Sequence, residues 1–171
     1  QKGYKSLLHG DPPRLQCFST FKDEVDFVVS YLKDLEEQGL PLNGVCLAAR
    51  TNELLKQYEA DLGERGIPTY FIRRSEAEDR KIPGVRLATM HRVKGLEFDR
   101  VIIAGVNDGI VPYEKGAGSP SDPVLRKESE VHERALLYVA ATRAKKEVLV
   151  TTSGTASRFL KGIPCVSGKD A

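Results

Sequence analysis

Apolar residues recur along this chain in two rhythms that take turns. Val25, Val28, Val29, Leu32 and Leu35 fall three and four apart, as on a helix with one buried stripe. Thr20 with Asp23 resembles a capping box ahead of them, and Gly39 with Pro41 stops the run. Leu54, Leu55, Tyr58 and Leu62 repeat the pattern, with Asn52 placed to cap a second helix and Gly66 to end it. The other rhythm is a set of short, almost wholly apolar runs at 15–18, 45–49, 69–72, 85–89, 101–104 and 148–152. Strands of that kind are buried on both faces, as in parallel sheets covered by helices. A third helix is predicted over 130–144, apolar around most of its girth and therefore deeply packed. Residues 113–129, rich in Gly, Pro, Ser and charge, read as a mobile surface loop. Residues 1–14 read as an entering linker, 15–160 as the folded domain and 161–171 as a loose tail. Strands and helices in alternation predict an α/β fold with a mainly parallel sheet.

Composition changes this picture little. A chain of 171 residues, 40% hydrophobic and 29% charged, suits one globular domain with a single core. Lys and Arg number 26 against 24 Asp and Glu, and the net charge of +2 excludes a histone-like excess. A local basic stripe fits inside that near-neutral total. No apolar run approaches the ~20 residues of a membrane-spanning helix, so no membrane partner is expected. Cys17, Cys46 and Cys165 are odd in number and far apart, which suggests neither a disulfide framework nor a zinc pair and makes a reducing cytoplasm the expected compartment. Gln1 at the start, with the lone methionine at Met90, predicts a fragment of a longer polypeptide.

Ligands of such sheets gather at the carboxyl ends of the strands. Arg50 follows the run 45–49 there, and Met90, His91, Arg92 and Lys94 follow the run 85–89. That sets cations and hydrogen-bond donors on one rim, suited to phosphates; a solvated loop of mixed charge is the plain alternative. Arg143 comes at the end of the last helix among Tyr138, Val139, Ala140, Ala141 and Ala144, and a guanidinium in such company needs an anion. Lys145 and Lys146 need no such explanation, since a cation at a helix carboxyl end gains roughly 0.3–1 kcal/mol from the dipole. Gly162 to Asp170 imitates a phosphate-binding P-loop, but five residues separate its glycines where four are required, and Asp170 stands where Ser or Thr belongs. The three histidines, His9, His91 and His132, are too scattered for a metal site, and none is expected.

The block 85–105, VRLATMHRVKGLEFDRVIIAG, running on to Gly109-Ile-Val-Pro112, resembles motif V of the UvrD/Rep/PcrA family of superfamily-one helicases. Residues 133–151, ERALLYVAATRAKKEVLVT, resemble motif VI, and residues 48–52, AARTN, resemble motif IV, in the family's order. The likeness covers residues 15–152. It implies a RecA-like three-layer sandwich serving as the second motor domain of an ATP-dependent DNA helicase or translocase with 3′-to-5′ travel. ATP would lie in the cleft against a first motor domain of the same polypeptide, which would carry the P-loop, the Mg2+ ligands and the catalytic carboxylate. The chain alone would then hydrolyse no ATP. The resemblance further implies that Arg50 and Arg143 reach the γ-phosphate together as arginine fingers. Gly95 and Glu97 would line the nucleotide site, Glu97 at the ribose, and Thr89, His91 and Lys94 would face single-stranded DNA. A surface pair with Lys94, three residues earlier, is the plain alternative for Glu97, and the weaker one beside the motif. Arg134 and Tyr138 would hold the motif VI helix in place, with ordinary packing expected of Tyr138. Larger relatives insert an accessory domain, 2B, between the runs ending at 72 and opening at 85; only residues 73–84 fill that gap, so the insertion is absent. Two other readings stay open on the residues alone. One is a stand-alone nucleic-acid-binding or interaction module with a helicase-like fold. The other is the helicase-like arm of a nuclease or of a transcription-recycling factor.

Overall fold

Each short apolar run becomes a strand of one sheet in the computed structural model, which describes residues 12–114 and 121–167. Chain order is β1 (Arg14–Phe18), α1 (Phe21–Glu37), β2 (Val45–Ala49), α2 (Asn52–Glu64), β3 (Thr69–Phe71), β4 (Val85–Thr89), β5 (Phe98–Ile103), α3 (Pro123–Ala141), β6 (Ala144–Ser153) and β7 (Val166–Ser167). The strands lie in the order β3-β4-β2-β5-β6-β1-β7, and every pair in that row is parallel. α1 and α2 cover one face through Val28, Leu32, Leu55 and Leu62. α3 covers the other through Leu136, Leu137 and Ala140. This is a RecA-like α/β fold in three layers, and residues 73–84 cross from β3 to β4 with no domain inserted.

A buried polar knot ties the helical layer to the sheet. Glu24 of α1 accepts hydrogen bonds at one carboxylate oxygen from the Tyr58 hydroxyl at 2.9 Å, the Gly105 N–H at 2.9 Å and the Thr151 hydroxyl at 2.5 Å. Gly105 is required here: at φ +66° a Cβ would stand 2.6 Å from Leu54 Cδ2.

The structure corrects several local expectations. Thr51, not Asn52, caps α2, its hydroxyl accepting from the Leu54 N–H at 3.2 Å. α3 begins at Pro123, capped by Asp122, so it absorbs part of the stretch expected as loop; residues 115–120 lie outside those described. Nor is α3 deeply packed. Only Glu133 and Ala140 are buried, while Val131 is 61% and Tyr138 71% exposed. A helix on an open sheet buries the stripe that meets the strands, and apolar residues off that stripe stay outside whatever their number. Packing therefore does not account for Tyr138. Lys145 and Lys146 belong to β6 rather than to a helix end, and face Glu97 at 3.7 Å and Asp99 at 3.9 Å.

The expected linker 1–14 falls mostly outside the described residues, and Arg14 opens β1. The tail is not loose as far as residue 167. Leu160 is buried, β7 pairs with β1, and Cys17 forms a disulfide with Cys165. Two of the three cysteines are thus paired across 148 residues, a distance in sequence that the β1–β7 pairing reduces to neighbours; Cys46 stays free and buried.

Candidate functional site

Strands β2 and β4 end side by side, Ala49 level with Thr89, so the residues that follow them share the carboxyl edge of the sheet. A groove of about 820 Å³ opens there. Arg50, Lys56, Arg73, Arg74 and Arg92 line it against a single acid, Glu59, with Thr89 and His91 at the β4 end. The basic stripe that the net charge leaves room for is this groove. Lys94 is exposed but outside its lining.

Arg50 does not reach into the groove as a free cation. Its Nε donates to both oxygens of Glu133, at 3.2 and 3.0 Å, and its Nη2 to Oε1 at 2.7 Å. The pair is 15% and 6% exposed, and the guanidinium lies over the Tyr113 ring, 5.1 Å from its centre. The Tyr113 N–H donates to Glu133 as well, at 3.1 Å. Burial alone would raise the Glu133 pKa, but the Arg50 bonds and the Tyr113 N–H outweigh it and hold the carboxyl below its usual range. Partial burial, and then the Arg50 charge, push the His91 pKa down, which leaves the imidazole neutral at pH 7.

The opposite, amino edge holds the other set. Arg143 directly precedes β6, and its carbonyl accepts from the N–H of Phe98, the first residue of β5, at 2.9 Å. Glu97 is therefore its neighbour across the strand ends. Arg143 Nη2 donates to the Thr142 hydroxyl at 3.2 Å, while Nε is buried with no hydrogen-bond partner among the described residues. No carboxylate is paired with it among the described residues. Glu97 meets Lys145, not Lys94. Gly95, at φ +84°, makes the turn that brings the chain from the groove back to this edge.

The structure thus does not bring Arg50 and Arg143 together. Ala48 is level with Ile103, and Ile103 with Val150, so Arg50, two residues on, stands about level with Thr152. Arg143 begins the same strand nine residues earlier (152 − 143), roughly 25–30 Å away at ~3.3 Å per residue. The expectation that both guanidinium groups grip one phosphate fails on that distance, and on the anion Arg50 already has. Sequence reasoning missed Glu133, Tyr113, Lys56, Arg73 and Arg74. A signal for Glu133 was present, since a lone acid on the sheet-facing side of an apolar helix needs a cation.

Residues 71–155 match the model of the UvrD-like helicase C-terminal domain. The ATP-dependent DNA helicase PcrA of Staphylococcus aureus is 40% identical over 93 residues, and that of Staphylococcus epidermidis 37% over 92. These matches take in 47% of this chain but only 12% of the relatives' length. Among solved structures, the C-terminal domain of a possible DNA helicase from Lactobacillus plantarum superposes with a TM-score of 0.68 at 22% identity, over 91% of this chain and 83% of that one. The Sulfolobus solfataricus SWI2/SNF2 ATPase core superposes with a TM-score of 0.56 at 10% identity, over 83% of this chain and 27% of that one. Both likenesses concern the fold. Thr89, His91, Glu97 and Arg143 all fall inside the matched stretch, and the chain carries a UvrD-like helicase C-terminal domain.

Proposed function

We propose that the chain is the second motor domain of an ATP-driven DNA helicase or translocase, with its two sheet edges serving two ligands. The observation that carries this is the Arg143 guanidinium, whose Nε is buried with no partner beside Glu97. A buried, unpaired donor on a permanent cation is costly unless an anion arrives. A nucleoside triphosphate held by the first motor domain supplies one, with Glu97 and the Gly95 turn at its sugar. Arg143 would then balance charge spreading over the transferring phosphoryl oxygens, an effect worth about 10³–10⁵ in rate. Arg50 has no part in this step. In this reading the Mg2+ ligands come from the first motor domain.

On the carboxyl edge, Thr89 and His91 present a hydroxyl and a neutral imidazole to a strand of DNA, and Lys94, exposed outside the groove lining, is the least supported of the three contacts. Closure of the two domains on ATP and their release after hydrolysis would move that strand past the groove. The test is Arg143→Ala in the polypeptide that carries both motor domains. DNA-stimulated ATP turnover is expected to fall by about 10³-fold or more with thermal unfolding unchanged. Turnover at the wild-type rate would overturn the assignment.

A second reading has one observation in its favour, because the basic groove is complete within this chain. A binding module without motor activity would hold oligonucleotides by itself, with strong salt dependence. Half of a motor would bind them feebly, and titration of the chain alone separates the two.

A further inference from the structure

Side chains, rather than a ladder of its own, hold the link between β3 and β4. The Arg92 guanidinium donates from Nε to the Arg73 carbonyl at 3.1 Å and from Nη2 to the Glu76 carbonyl at 3.2 Å. Arg86, fully buried on β4, donates to the carbonyls of Ile82, Gly84 and Asp79 at 2.7, 2.8 and 2.8 Å, and to Glu78 Oε1 at 2.8 Å. The Tyr70 hydroxyl accepts from the Asp79 N–H at 3.1 Å, and Asn43 donates to the Arg80 carbonyl at 3.0 Å. All but one of these bonds fall on main-chain atoms of the link, which leaves its basic side chains to the surface.

Two of those side chains, Arg73 and Arg74, line the carboxyl-edge groove, where Lys56 of α2 joins them. Among the described residues none of the three has an ion pair or a hydrogen-bond partner for its charge. Like charges gathered this closely repel over a screening length of about 8 Å at physiological salt. A polyanion removes that repulsion and a scattered counterion atmosphere only dilutes it. Phe71, His91 and Tyr113 share the same groove. Aromatic faces between cations suit a single strand, whose bases can stack, and not a duplex, whose bases are already stacked.

We infer that Arg73, Arg74 and Lys56 hold phosphates of one nucleic-acid strand, and that Arg92 is the positioning residue that fixes the link for this contact. The inference rests on the reading of the groove as a nucleic-acid track. The link supplies strand contacts directly in a chain that has no accessory domain at this point.

The test is equilibrium binding of labelled homothymidine and homouridine strands, and of a duplex, by the full polypeptide across a salt series without nucleotide. A single strand releases ~0.7 counterions per phosphate neutralised, so R73A/R74A lowers the slope of log K against log salt by about 1.4. Binding weakens alike for both strands, and thermal unfolding stays put because neither side chain is bonded. R92K keeps the charge but not the forked grip on two carbonyls. It loses affinity by itself and adds little on top of R73A/R74A. An unchanged slope in R73A/R74A overturns the inference, and if T89A/H91A still weakens binding the track itself survives. Binding indifferent to both pairs overturns track and link together. Preference for duplex overturns the choice of a single strand, and wild-type behaviour of R92K overturns its positioning role.

Discussion

On the carboxyl edge of the sheet the chain supplies Arg50 with an anion of its own, whereas on the amino edge none of the described residues supplies one to Arg143. Both arginines follow apolar runs, both sit in stretches resembling helicase motifs, and both are only partly exposed. Their partners separate them. Arg50 is locked bidentately to Glu133, and Lys56, Arg73 and Arg74, which have no ion pair among the described residues, line the same groove. Around Arg143 the neighbouring charges Glu97 and Asp99 are matched by Lys145 and Lys146, and among the described residues its guanidinium has no carboxylate. What an arginine does is set by whether its fold has already answered its charge.

Exchanging the two arginines' fates is the sharpest way to break that comparison. Arg143→Ala is expected to abolish turnover and leave stability alone, as set out above. Arg50→Ala is expected to do the reverse first: removing one partner of a buried pair costs about 3–5 kcal/mol, because Glu133 keeps its charge and loses the guanidinium bonded to it. For a domain of this size that lowers Tm by roughly 2–4 °C per kcal/mol. Arg50→Met with Glu133→Leu restores most of the loss. Should Arg50→Ala melt like the wild type while turnover collapses, Arg50 is a finger after all and the two-edge assignment is wrong. The pair also carries a pH signature. Glu133 has a folded pKa below its unfolded value, so its stabilisation is present above the ordinary carboxylate range and is lost as pH falls through the folded value.

The frame of the molecule was legible because local chemistry dictates it. Continuous apolar runs such as Val45–Ala49 can only be strands buried on both faces, and Thr20 caps α1 as its spacing suggests, accepting from the Asp23 N–H at 3.1 Å. What escaped the sequence was long-range partnership. Counting apolar residues around α3 gave a helix but not the face that meets the sheet, so Tyr138 was misplaced. Arg86 is the one charge in the run 85–89, and its four partners lie in a link that looks unstructured. Cys17 and Cys165 meet only because a short terminal strand joins the sheet edge. The two arginines failed for the same reason: motif order is read along the chain, while Glu133 stands 83 residues from Arg50.

A smaller effect is expected on the amino edge at Glu97. On the proposed reading Glu97→Ala removes a hydrogen-bond acceptor for a nucleotide sugar, worth about 1.5–3 kcal/mol if charged, or roughly ten- to a hundredfold in KM for ATP. Turnover at saturation should hold, and stability should barely move, since the Glu97–Lys145 pair is exposed and 3.7 Å long. A lowered kcat with unchanged KM would place Glu97 at the reacting phosphate and not at the sugar.

The smallest effect belongs to His91, and it distinguishes the edges by pH. Its folded pKa is pushed down by partial burial, by Arg50, and to a lesser degree by His132 and Arg74, while Glu133 pulls the other way. The unfolded chain therefore binds the proton more readily, and stability declines as pH drops from about 6.5 through the folded value. A strand phosphate arriving in the groove favours the protonated imidazole, so binding tightens over that same interval even as the fold weakens. A neutral donor becoming a charged one strengthens its bond by ~1 kcal/mol, about fivefold in affinity. His91→Asn should flatten the pH dependence of strand binding and leave that of ATP affinity untouched. If instead the substitution changes the pH profile of ATP affinity, the groove and the nucleotide edge are not separate sites.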